Sequence, residues 1–162
     1  MLARWRSRPA PTPPPEQDEL EAVRGRLAHL VARVNAAADR LPVGVVPEAR
    51  AICDVVRELL DHEERTSHTS VAAAQRFSLA ATVDDYLPSS LDSFLALPPA
   101  FLAQHRSAAG RTAGHELLAQ LVLLHEAVRE LADAVYSGDA RRLSDQGRFL
   151  ETKFSGSDLD LP

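Results

Sequence analysis

The stretch HELLAQLVLLHEAVRELADAV, residues 115–135, decides the fold. Leu117, Leu121, Leu124, Val128, Leu131 and Val135 step along it by 4, 3, 4, 3 and 4 residues. On a helix of about 3.6 residues per turn these positions share one stripe. Leu118, Val122 and Ala132 widen the stripe, so more than one neighbour must cover it. No strand-like alternation competes with this pattern anywhere in the chain.

Working outward, Leu20, Val23, Leu27, Leu30, Val34, Ala37 and Leu41 repeat the same spacing. Glu16, Asp18, Glu19 and Glu21 at the start and Arg33 and Arg40 at the end suit the helix dipole. Pro42 and Gly44 end that helix. Pro47 stands in the first turn of a second helix, whose apolar face is Ile52, Val55, Val56, Leu59 and Leu60. Residues 65–81 stay open between a short helix and a packed loop. Thr82-Val83-Asp84-Asp85 resembles a capping box before a helix carrying Leu87, Leu91, Phe94 and Leu95. Pro88 starts or kinks that helix, and Pro98-Pro99 stops it. Ser137-Gly138 reads as a stop for the long helix. Asp139 then caps a fifth helix with Leu143, Gly147, Leu150 and Phe154 on one side. The expectation is an all-α antiparallel bundle of about four to five helices over residues 16–154. A disordered basic, Pro-rich tail (1–15) precedes it and a flexible acidic tail (155–162) follows.

With 162 residues and 45% hydrophobic content, the chain can bury a core as one domain without staples. Its net charge of −5 gives no general attraction to phosphate backbones, which argues against nucleic acid as a partner. The single cysteine, Cys53, excludes an internal disulfide and sits among apolar neighbours as a buried hydrophobe. No apolar run reaches membrane-spanning length, and the N-terminus lacks the hydrophobic middle of a secretory signal. The expected compartment is the cytoplasm. Trp5 with Arg4, Arg6 and Arg8 offers at most a weak contact with an anionic membrane.

The residues that carry chemistry do not assemble into a known motif. A two-histidine zinc helix needs ligands four apart, whereas His62 and His68 are six apart and His115 and His125 ten apart. No metal site and no cofactor are expected. No Gly-x-Ser-x-Gly turn exists; Ser89-Ser90 read as satisfying backbone donors at a helix start. Gly110-Arg111-Thr112-Ala113-Gly114 lacks the P-loop ending, but Arg111 and Thr112 beside a helix start are candidates for holding an anion. Arg141, Arg142 and Arg148 interleave with Asp139, Asp145 and Glu151, as on a solvent face.

Asp85-Tyr86-Leu87-Pro88-Ser89-Ser90-Leu91, then Arg111-Thr112, a long Leu-rich helix, Asp139, Leu143 and Arg148-Phe149-Leu150 form an ordered set. Over residues 48–154 this order resembles the XpaC-like proteins, the 5-bromo-4-chloroindolyl phosphate hydrolysis family. The resemblance implies a helical protein associated with toxic-anion resistance, with no catalytic residue to carry over. Members of that family usually carry hydrophobic membrane segments ahead of the helical part, where this chain has a Pro-rich stretch.

The sequence thus points to a non-enzymatic helical interaction protein, a bacterial stress or envelope accessory. Its expected partner is another protein or a second copy, met through a surface at Leu118, Val122 and His125. The alternative is an anion-binding or phosphate-ester hydrolase-like protein using Arg111 and Thr112.

Overall fold

A computed structural model describes residues 15–66 and 71–155. The expected tails, apart from the helix-terminal Pro15 and Ser155, lie outside the described residues, as do His68 and Trp5 with its arginines. The chain forms α1 (Pro15–Ala36), α2 (Val45–Arg65), α3 (Ala73–Ala81), α4 (Leu87–Leu95), α5 (Pro99–Gln104) and α6 (Ala113–Ser155). No strand occurs among the described residues. Of the open segment 65–81, the described residues give the end of α2, then Val71 and Ala72 leading into α3.

Between α3 and α4, Thr82–Tyr86 form a wider π turn, so residues 73–95 make one bent rod. Pro88 explains the widening. Its ring would collide with the carbonyl four residues back, and it has no N–H to give. Opening the turn lets the Leu87 N–H reach the Thr82 carbonyl instead. The Ser89 and Ser90 hydroxyls donate to the Tyr86 carbonyl at 3.3 and 2.9 Å. They serve an acceptor, not the backbone donors expected. The Thr82 hydroxyl likewise donates to the Ser78 carbonyl at 2.9 Å, so Thr82–Asp85 lie inside the rod and cap nothing.

Ion pairs between helices give the topology. Glu48 meets His125 and His62 meets Asp139, each pair 77 residues apart, so α2 and α6 run parallel. Arg26–Asp84 and Arg33–Asp92 are 58 and 59 apart, so α1 runs parallel to the α3–α4 rod. Arg50 binds Asn35 near the α1–α2 turn, while Arg24 binds Asp61 and Glu64 at the far end, so α1 and α2 are antiparallel. It follows that α4 and α6 are antiparallel too. The bundle is all-α, with the antiparallel expectation holding for two of its four neighbouring pairs. The other two are parallel because the link from α2 to α3 crosses the end of the bundle.

Glu63 pins that crossing. It is 1% exposed, and its Oε2 accepts the Val71 N–H at 2.7 Å. Its Oε1 faces Arg76 Nη1 at 3.3 Å, and the same nitrogen donates to the Val71 carbonyl at 2.9 Å. Val71 is thus held by both backbone groups while its side chain enters the core.

The stripes read from sequence meet in one core. Leu20, Val23, Leu27, Leu30 and Val34 face Ile52, Val56, Leu59 and Leu60, the rod's Leu79, Leu87 and Leu91, and Leu117, Leu121, Val128 and Val135 of α6. At the tight α1–α2 turn, Gly44 adopts φ 92°. Gly114 lies so close to the turn that a Cβ there would stand 2.8 Å from Pro42.

The long helix does not stop at Ser137-Gly138. It continues unbroken to Ser155, and the expected fifth helix is its second half. A glycine ends a helix by turning to positive φ, and only Gly44 and Gly110 do so among the described residues. From Ala140 to Lys153 every residue of α6 is exposed. This overhang is about 20 Å of helix projecting beyond the bundle.

Glu63→Ala removes the acceptor of a buried N–H and opens the crossing. It should lower unfolding stability by about 2–4 kcal/mol in urea titrations. A change within the range of an exposed substitution would show that the crossing is held by other contacts.

Candidate functional site

α6 carries every candidate region in turn. At its N-terminus, the Gly110 N–H donates to the Ser107 carbonyl at 2.8 Å, and the Ser107 N–H donates to the Arg111 carbonyl at 2.9 Å. The Arg111 N–H donates to the Ser107 hydroxyl oxygen at 3.2 Å. This tight loop delivers Thr112, whose Oγ1 accepts the His115 N–H at 3.1 Å and caps α6. Arg111 Nε lies 3.2 Å from Glu116 Oε1. The two residues read as anion contacts are thus placed differently: Thr112 serves the helix start, and Arg111, just before the helix, faces a carboxylate in its first turn.

Arg111 nevertheless reaches the rim of a cavity of about 280 Å³ between α4, α5 and α6. Phe94, Leu97 and Leu117 form its apolar lining, and His105 joins Arg111 and Glu116 on its polar side. The Phe101 and His105 rings stack beside it with centroids 4.4 Å apart. α5 buries none of its residues and stands over the cavity. His105 was not singled out by sequence, because it follows a helix too short to show a periodic face.

The surface read at Leu118, Val122 and His125 divides. His125 Nδ1 lies 2.7 Å from Glu48 Oε1, so His125 ties α6 to α2. Leu118 is half-buried and covers Gly44, where an added Cβ would lie 3.3 Å from its Cδ2. Val122 stays exposed beside Leu123, on a shallow apolar face bordered by Arg111, His115 and Glu126.

A second histidine closes the other end of the α2–α6 contact. His62 Nε2 lies 2.5 Å from Asp139 Oδ2, and Tyr136 meets the His62 ring edge-on with centroids 5.0 Å apart. Burial, and next the Glu58 charge, push the Tyr136 hydroxyl up from its ordinary value. Arg142 also binds Asp139.

Beyond this clamp lies the overhang. Leu143 is 73% exposed, Phe149 62% and Leu150 42%. Gly147 sits between them with nothing within 4 Å of an added Cβ. Arg148 binds Asp145 at 2.6 Å along the same helix. The sequence named these apolar residues but assigned them to a helix folded back on the bundle.

Three further carboxylates that the sequence offers are tied to α1. Asp61 and Glu64 bind Arg24, and Asp84 binds Arg26 at 2.5 Å. Among the described residues no three metal-ligating side chains converge, and no helix is long and apolar enough to cross a membrane. Cys53 is buried in the α2 core. No family model, no curated protein and no solved structure matches this chain.

Desolvation raises the Cys53 thiol to about 11, against the opposing charge of Arg57. A thiol whose folded value is raised binds its proton more tightly in the folded state. Stability should therefore be full below pH 9 and fall as pH climbs from 9 towards about 11. Urea midpoints of the protein and of Cys53→Ala, compared across that window, check this: the slope should be shallower in the variant, with the share of the raised Tyr136 hydroxyl remaining.

Proposed function

We propose that this protein acts by contact, as a non-enzymatic helical interaction protein in the bacterial cytoplasm. The observation that carries the reading is the overhang of α6. A free helix of this length is marginal in water, and a central glycine weakens it by about 1 kcal/mol. Leu143 and Leu150 on one side then have a purpose only against a partner, in the manner of an amphipathic helix offering spaced anchors. The bundle supplies a rigid base, since α6 is fixed to α2 by His125–Glu48 and His62–Asp139 before it leaves.

One observation favours a second reading, an anion-binding or phosphate-ester hydrolase-like protein: His105 and Arg111 share the rim of one cavity. The Glu116 carboxylate beside Arg111 counts against it, because it already offsets the positive charge an anion would seek.

A photo-reactive residue at Gln146 should form covalent protein adducts in cells, while one at the exposed turn residue Ala38 should not; no adduct at Gln146 overturns the contact reading. Inorganic phosphate titrated against the amide spectrum should leave the His105 and Arg111 signals in place. A saturable shift abolished by Arg111→Ala would establish the anion reading.

A further inference from the structure

We infer that the occupant of the α6 overhang is a second copy of this chain, its own overhang lying antiparallel across the first about a two-fold axis near Asp145. This rests on the contact reading above and names the partner.

The spacing of the exposed seam comes first. Tyr136, Ala140, Leu143, Gly147 and Leu150 step by 4, 3, 4 and 3, the seam of a two-helix coil. Large residues fall at Tyr136, Leu143 and Leu150, and small ones at Ala140 and Gly147. In an antiparallel pair centred on Asp145, Leu143 of one copy lies level with Gly147 of the other. Leu150 lies level with Ala140. The two layers nearest the axis thus each set a large side chain against a small one, on both sides of it, while Tyr136 comes level with Phe154. A parallel pair sets Gly147 against Gly147 and Ala140 against Ala140, which leaves gaps where packing should be. Among the described residues no contact requires Gly147 to be glycine, since nothing lies within 4 Å of an added Cβ. A leucine arriving from a second copy does require it.

Charge agrees with the same register. The flanking position beside Ala140 is Asp139, which also holds His62 and Arg142 within its own chain, and the position opposite it on the second copy is Lys153. This opposite-charge contact occurs twice by symmetry, while the two Gln146 side chains meet at the axis. In the parallel arrangement Asp139 and Lys153 stay about 20 Å apart along the rods. Arg141, Asp145 and Arg148 lie on the outer face, so no like charges are forced together.

Length fits as well. The exposed stretch of α6 begins at Ala140, and Leu150 of the second copy comes level with it, so the overlap covers the free helix from Ala140 to Leu150. Two heptads bury less than the ~1,200 Å² of a standard interface, which places the pair in the weak, concentration-dependent class.

Sedimentation of the purified full chain should show a reversible dimer, weakened about tenfold or more by Leu150→Asp. Circular dichroism should show the bundle of that variant intact. Gln146→Cys should oxidise to a disulfide-linked dimer, while Thr152→Cys, on the outer face, should not; native Cys53 is buried and does not interfere. A monomer at about 1 mM, or cross-linking at Thr152 and not at Gln146, overturns the inference. If Gln146 is captured in cells only by a different protein, the second copy is ruled out and the contact reading stands. If Gln146 captures nothing, the contact reading itself fails.

Discussion

The contact between α2 and α6 governs the rest of the molecule. α2 commits Val45, Ala49, Ile52, Cys53, Val56, Leu59 and Leu60 to the interior, all at or below 2% exposure. Fully burying a side chain of this kind stabilises by about 1.5–3 kcal/mol before conformational entropy is set against it. Two parallel helices cannot be joined by a tight turn, so the chain must run back once along the bundle, through the α3–α4 rod, before α6 can lie beside α2. The Glu63–Val71–Arg76 network and the bend at Thr82–Tyr86 are the local devices that make the crossing and the return possible. His125–Glu48 and His62–Asp139 fix the register of the pair, because sliding α6 by one turn would separate both partners at once.

The helical stripes were legible because burial leaves a spacing of three and four wherever one face is covered. That sufficed to place Leu20 to Val34, Ile52 to Leu60 and Leu117 to Val135 in helices and in the core. The alternating direction of successive helices was legible, but which of them become neighbours was not. The pairs that define this join residues far apart in sequence, and neither Glu48 nor His125 carries a local mark of the other. The end of α6 was misread for a related reason. Ser137-Gly138 has the composition of a stop, but a glycine terminates a helix only if its backbone turns to positive φ. Here Asp139 is instead held in helical position by His62 and Arg142. Thr82 was misread because a π turn is a response to Pro88 several residues later.

For the site, sequence identified residue types better than roles. Arg111 and Thr112 were singled out for their chemistry, yet Glu116 and the His115 N–H, both within the next turn, define what they do. Leu118 and His125 lie at the margin of the stripe, where helical periodicity serves equally for contact with a second neighbour and for a partner surface. A second neighbour, the α1–α2 turn with Gly44 and Glu48, draws them inward. Leu143 and Leu150 show the converse. Their spacing was right, but the absence of any facing helix could not be seen from one strip of sequence.

The unbroken course of α6 has a mechanical consequence. Roughly two-thirds of the rod is gripped by the bundle and one-third is free, so any load applied at the tip is carried as bending and torque to the last gripped turn. His62, Tyr136 and Asp139 occupy that fulcrum. A sideways pull on the tip prises this trio apart before it strains the leucines deeper along α6, which makes the trio the hinge pin of a lever whose short arm lies in the core.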